Sequence, residues 1–210
     1  MLGYSSDQIR AAEAPLLAAG VPLMARAAHG LAAVIAAMSP TRVLLLVGTG
    51  DNGGDALFAG AELASSGIEV AIVRTGSRVH EAGFAAAIDA GALITDDPVG
   101  FAGTADVVVD GILGTGTSAN PALRSPAREL VSSLIPTIGG TIVAVDIPSG
   151  ISPDDGGVPD PTVLRADVTV TFCGCKAGLL LPPGSGYAGA VTLIDIGLDL
   201  SDLAPTVTTS

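Results

Sequence analysis

Val43-Leu44-Leu45-Leu46-Val47-Gly48-Thr49-Gly50-Asp51-Asn52-Gly53-Gly54-Asp55 carries a fully apolar strand straight into a glycine-rich turn that holds two carboxylates and an amide. A strand apolar at every position suits a parallel sheet covered on both faces. The spacing Gly48-x-Gly50-x-x-Gly53 satisfies the dinucleotide-binding fingerprint, in which glycines let the backbone approach a pyrophosphate at a helix N-terminus. Asp51 and Asp55 complicate that reading. Negative charge at a helix start suits the helix dipole but opposes a bound phosphate, so an anionic ligand here needs a cation or strong donors as an offset.

Working outward, short apolar runs recur at 43–47, 69–73, 92–94, 106–109, 141–145, 167–172 and 190–194, with helical stretches at 55–66, 79–90 and 122–134. This alternation predicts an α/β fold, a Rossmann-like, doubly wound and mostly parallel sheet with helices on both faces. Two further helices precede it. Ser5 and Ser6 cap one that starts at Asp7 and ends near Gly20, and Pro22 opens a second that stops at Ser39-Pro40. Residues 151–161 read as an exposed loop. A single domain over 1–198 is expected, with 199–210 a flexible tail or linker.

Composition narrows the partners. The 210 residues carry a formal net charge of -12, which repels a phosphate backbone and disfavours nucleic acid and anionic membranes. Mean hydropathy is +0.61, yet no stretch of about 18 consecutive apolar residues occurs, as a membrane helix requires. The first residues lack the basic flank and apolar run of a secretory signal, so a cytoplasmic location is the expectation. Cys173 and Cys175, two apart in an apolar run, read as reduced core thiols on one face of a strand rather than a metal pair, since His29 and His80 are the only histidines.

Two more strands end in acidic turns, at Val109-Asp110-Gly111 and at Val145-Asp146-Ile147-Pro148-Ser149-Gly150. If the three strands are parallel neighbours, Asn52, Asp110, Asp146 and Ser149 meet at the sheet edge where α/β proteins bind ligands. Amide, carboxylate and hydroxyl oxygens form a hard shell suited to an alkali or alkaline-earth cation. Gly114, Thr115, Gly116, Thr117, Ser118, Ala119 and Asn120 supply backbone N–H groups and hydroxyls for phosphates. Asp146 is the candidate general acid/base, because burial beside other carboxylates favours a raised pKa. Each Asp taken alone is equally a turn former or helix cap.

Together these motifs resemble the YjeF N-terminal family, the NAD(P)H-hydrate epimerases. The resemblance covers nearly the whole chain. It includes Ile9-Arg10-Ala11-Ala12-Glu13, Leu23-Met24, Gly50-Asp51-Asn52-Gly53-Gly54-Asp55, Asp110, the Asp146–Gly150 turn and Lys176-Ala177-Gly178-Leu179-Leu180-Leu181-Pro182-Pro183-Gly184. It implies an isomerase that interconverts the R and S forms of hydrated NADH or NADPH in nucleotide repair, with the substrate bound by Asp51, Asn52, Gly53, Gly54, Asp55, Gly114 to Asn120 and Asp146. It implies potassium at Asn52, Asp110 and Ser149, a homodimer, and fusion or pairing with a hydrate dehydratase. Asp51 stands where the family usually has asparagine. Lys176 reads either as a group near a phosphate or departing oxygen, or as a surface or strand-end lysine.

Two other functions fit the same elements. A catalytically silent nucleotide-binding or scaffold module has no need of Asn52, Asp110, Asp146 and Ser149 together. A dinucleotide-dependent oxidoreductase wants a carboxylate closing its second strand, where this chain has Arg74.

Overall fold

The protein is described here by a computed structural model covering residues 1–116 and 120–209. β1 (Leu2–Tyr4) leads into α1 (Ser6–Ala18), which starts at a capping box: Gln8 N donates to Ser5 Oγ at 3.2 Å and Ser5 N donates to Gln8 Oε1 at 2.9 Å. α2 (Leu23–Ala37) follows Pro22. Then come β2 (Arg42–Val47), α3 (Asp51–Ser65), β3 (Glu69–Arg74), α4 (Glu81–Asp89), β4 (Leu93–Ile94), α5 (Pro98–Ala102), β5 (Val107–Gly111), α6 (Ala127–Leu134) and β6 (Thr141–Val145). The chain closes with β7 (Val168–Phe172), β8 (Cys175–Lys176), β9 (Ala190–Ile194) and β10 (Val207–Thr208).

Seven strands form one sheet in the order β4-β3-β2-β5-β6-β7-β9, and every pairing is parallel. The chain starts at β2, winds outward to β4, returns past β2 to β5 and then proceeds to β9. The reversal leaves a crevice beyond the carboxyl ends of β2 and β5, where such sheets take ligands. This is the doubly wound α/β fold expected from the alternation of elements.

β2 shows why its sequence had to be apolar throughout. Val43, Leu45 and Val47 join the layer containing Leu31 and Ile35 of α2 and Leu57 and Leu63 of α3, whereas Leu44 and Leu46 join Ala102 of α5 and Val131 and Leu134 of α6. Each fully buried leucine contributes about 1.5–3 kcal/mol by leaving water. Among the described residues no single helix is long and apolar enough to cross a membrane.

Several boundaries differ from the sequence reading. α3 begins at Asp51 instead of Asp55, so the acidic glycine motif is the helix's own first turn. α6 begins only at Ala127, because Pro126 disfavours helical backbone at the residue before it. Of the 199–210 stretch, expected as a tail or linker, the described residues to 209 dock on the N-terminus. Val207–Thr208 pairs antiparallel with β1, and Gln8 Nε2 donates to Ala204 O at 2.8 Å. A β-branched run beside an open strand edge explains the pairing. Cys173 and Cys175 do not share a strand: β7 ends at Phe172, Cys173 has φ 68° and β8 starts at Cys175. Both thiols are free and buried. The 151–161 loop buries Ile151 in a small satellite core with Ile147, Val163 and Leu179.

Candidate active site

The glycine turn fits tightly against the next strand. Gly48 N donates to Gly111 O at 3.0 Å, and a Cβ on Gly48 would fall on the Ile112 carbonyl. Gly53 packs on the Gly48 carbonyl in the same way. These two glycines of the fingerprint therefore serve close backbone crossing. Gly50, the N-cap of α3, faces open space and no side chain caps that helix start.

Asn52 and Ser149 tie three strand ends together. Asn52 Nδ2 donates to Leu113 O at 3.2 Å and to Val145 O, which uses both amide hydrogens and leaves Oδ1 beside Gly114 as the group open to a ligand. Asp110 sits at the end of β5 with 1% exposure. It accepts from Ser149 N at 2.8 Å, from Ser149 Oγ at 2.6 Å and from Ile112 N at 3.3 Å. Ser149 Oγ in turn accepts from Leu113 N at 2.8 Å. Burial pushes the Asp110 carboxyl up, and the hydrogen bonds from Ser149 pull it back. It has hydrogen bonds but no ion pair among the described residues.

A buried carboxylate with that donor set fits a hard monovalent cation. Asn52 Oδ1, the Asp110 carboxylate and Ser149 Oγ lie within one hydrogen-bonded network, and all are oxygens. Among the described residues no cluster of three or more His, Cys, Asp or Glu side chains is suited to a metal. The network has a single carboxylate, so it suits low charge.

Asp146 follows β6 in the left-handed region, at φ 67°. For a residue other than glycine this is uncommon and least costly for Asp and Asn. Its Oδ1 accepts from Thr171 Oγ1 at 3.0 Å, from Phe172 N at 3.3 Å and from Lys176 Nζ. The ammonium also donates to Phe172 O at 2.8 Å. Lys176 is thus a strand-end lysine but not a surface one, being 2% exposed. The signal for its burial was the apolar run on both sides of it, from Val168 to Leu181.

The crowding of carboxylates expected at Asp146 falls instead on Asp55. This side chain, one turn into α3, is 6% exposed and has no hydrogen bond or ion pair with any described residue. Burial first, then the charges of Asp146 and Asp51, hold its carboxyl well above the usual carboxylate range, with Lys176 partly opposing them.

Asp55, Asp146, Lys176, Asn52, Asp51 and Thr115 line a cavity of about 360 Å³, together with the apolar Ile9, Leu23, Met24, Phe172 and Ile196. Glu13 and Cys173 also reach it, the Sγ donating to Glu13 Oε1 at 3.0 Å. Burial and then Glu13 push the Cys173 thiol up, and burial pushes Cys175 up to about 11, so neither is a nucleophile at neutral pH. A second cavity of about 400 Å³ lies across the Leu113–Gly116 loop, lined by Gly48, Thr49, Thr75, Leu123 and Arg124. Gly116 and Asn120 border this second space and Thr115 the first, while Thr117, Ser118 and Ala119 lie outside the described residues.

Residues 20–178 match the family model described as YjeF-related protein N-terminus. A protein of Clavibacter michiganensis named NAD(P)H-hydrate epimerase is 54% identical over 98% of this chain and 94% of its own length. The protein of the same name in Clavibacter sepedonicus is 55% identical over 97% and 93%. The Mycobacterium leprae protein named bifunctional NAD(P)H-hydrate repair enzyme Nnr is 41% identical over 95% of this chain but only 42% of that longer protein. The crystal structure of yeast ynu0 (YNL200c) superposes with a TM-score of 0.75 at 20% identity, covering 92% of this chain and 87% of that one, which is a likeness of fold.

Proposed function

This chain belongs to the family of YjeF-related protein N-termini, and on that premise we propose that it is an NAD(P)H-hydrate epimerase whose reaction takes place in the Asp146–Lys176 cavity. The observation that carries the assignment of the site is the buried ion pair of Asp146 and Lys176, beside the Asn52, Asp110 and Ser149 network at the sheet's switch point. A scaffold would gain little from a desolvated ion pair facing a cavity, because such pairs rarely add net stability.

The hydrated ring lies in the first cavity against Met24 and Phe172, and the rest of the dinucleotide crosses the first turn of α3 and the Gly114–Asn120 stretch toward the second cavity. Backbone N–H groups of Asp51, Asn52 and Gly53 at the uncapped helix start face the phosphates, and Gly54 N donates within the helix to Gly50 O at 3.2 Å. Asn52, Asp110 and Ser149 hold potassium. The ion supplies positive charge that offsets Asp110 and the carboxylates near the phosphates. Inversion proceeds by departure of the carbinol oxygen to leave an iminium, followed by return of water to the opposite face. Asp146 takes the proton of the returning water, and Lys176 fixes the orientation of that carboxylate. The acidic lining, Glu13, Asp51, Asp55 and Asp146 against Lys176, favours the cationic ring over the neutral hydrate.

The chain works as a homodimer in the cytoplasm, in partnership with a dehydratase that consumes one epimer. The naming of longer relatives as bifunctional repair enzymes supports that partnership.

Following conversion of R to S hydrate by chromatography, with the spontaneous rate subtracted, tests the proposal. The parent protein accelerates the conversion, Asp146→Ala loses the acceleration, and replacing potassium by a bulky organic cation weakens it. No acceleration by the parent would reject the enzyme reading. An active Asp146→Ala would reject the proton-transfer role alone.

A further inference from the structure

Asp55 is a buried carboxyl without a partner. It is 6% exposed, it lines the cavity, and none of the described residues gives it a hydrogen bond or an ion pair. Ionising an unpartnered group in such a place is unfavourable, and its presence there calls for a task or a ligand. Neighbouring carboxylates are accounted for differently: Asp110 is taken up by Ser149 and Ile112, and Asp146 by Lys176, Thr171 and Phe172.

Resting on the epimerase reading, we propose that Asp55 is a catalytic residue of this site, the group that gives its proton to the carbinol oxygen as that oxygen leaves the ring. The carbon–oxygen bond breaks with its electron pair going to oxygen. The Asp55 proton completes a water molecule, and the ring nitrogen's lone pair forms the iminium double bond. On return, water bonds to carbon from the other face, the π pair goes back to nitrogen, and the spare proton passes to the Asp146 carboxylate. Each inversion therefore moves one proton from Asp55 to Asp146, and exchange with water in the cavity restores both.

The surroundings keep the proton on Asp55. Asp51 faces it from the same helix, Asp146 from the end of β6 and Glu13 from α1, with Lys176 of β8 as the single cation among the groups acting on it. From α2 the cavity receives Met24 and Ala27, which are neutral. His80, which caps α4, packs on Gly54, and the exposed His29–Glu62 pair lies two turns further along α3. Burial and three like charges against one ammonium disfavour the ionised form. Asp55 thus serves as the acid of the cavity, and Asp146, held by Lys176, as the acceptor.

The test combines Asp55→Asn with a carboxyl ¹³C NMR titration of the intact protein, the Asp55 resonance being assigned by its absence in the variant. The expected results are an Asp55 titration above the usual carboxylate range and a kcat lower by about 10²-fold or more in Asp55→Asn. The parent rate should fall as pH rises through the Asp55 titration, and the residual rate of the variant should lose that fall. An active parent with a variant of equal rate and pH profile would overturn the role of Asp55 while leaving the epimerase reading intact. So would an Asp55 resonance titrating in the ordinary range. A parent that does not accelerate inversion would remove the epimerase reading itself, and this role with it.

Discussion

Lys176 Nζ donates to the carboxylate of Asp146 where the two side chains are only 3% and 9% exposed, so the pair is shielded from water although it borders the cavity. The lysine comes from β8, the strand that joins β1 to the body of the protein, and the aspartate from the turn after β6. One contact therefore links the N-terminal elements to the strand ends that build the site. It also divides the cavity's carboxyls, since the lysine forms an ion pair with Asp146 and none with Asp55.

Breaking the pair leaves a buried charge without compensation. Lys176→Met is expected to lose about 3–5 kcal/mol of stability, and Lys176→Met combined with Asp146→Asn, which removes the charge and tolerates the left-handed backbone, to recover much of it. Urea denaturation of the parent and the two variants measures this. A double variant no more stable than the single one would show that the pair is not the source of the loss.

Asp55 makes stability depend on pH. Its folded pKa lies above the unfolded value, so the folded state binds the proton more tightly, and this contribution is full at pH below the ordinary carboxylate range and lost as pH rises through the folded pKa. Asp55→Asn removes the loss. The variant should melt above the parent at pH 8, and the gap should close toward pH 4. A constant gap across that range would contradict the assignment.

Gly114 leaves room for the Asn52 amide, and a Cβ there collides with Asn52 Oδ1. Gly114→Ala is expected to weaken potassium affinity about 10- to 100-fold, the usual effect of disturbing the support of a metal ligand. Ser149→Ala should act similarly by withdrawing a donor from Asp110. Activity measured against potassium concentration reads both, and an unshifted half-saturation in each variant would remove these residues from the cation site.

Removing 204–210 takes away β10 and the bond from Thr206 N to Gly3 O at 2.8 Å. β1 then loses a partner and α1 its anchor at Gln8, while α1 carries Ile9 and Glu13 to the cavity. Hydrogen exchange should quicken in β1 and the start of α1, and leave β2 and β5 protected. Unchanged exchange in β1 would mean that the C-terminal strand does not hold it.

The sheet was legible because its signal is local: an apolar run such as 43–47, short and closed by a glycine turn, suits a strand buried on both faces, and alternation with helices then favours parallel crossovers. The meeting of Asn52, Asp110, Asp146 and Ser149 was legible from their shared position after strands. The pairing of Lys176 with Asp146, and the isolation of Asp55, were not legible for a common reason. Which carboxylate receives the single lysine depends on how β7 and β8 close over the β6 turn, a contact between residues 30 apart in the chain that no local pattern encodes. The same holds for β10, whose partner β1 lies at the opposite end of the sequence. α3 starts a turn earlier than its sequence suggests because Gly53 and Gly54, unfavourable in a helix interior, hide its first turn; Gly53 is required by the close approach of the Gly48 carbonyl.

The central claim is that the Asp55 and Asp146 carboxyls invert the hydrate by releasing its oxygen and taking water back. Inversion carried out in ¹⁸O-enriched water, with the product epimer separated and weighed by mass spectrometry, tests it most directly. The account predicts one solvent oxygen in each enzymatically inverted molecule. Accelerated inversion with the original oxygen retained would contradict it.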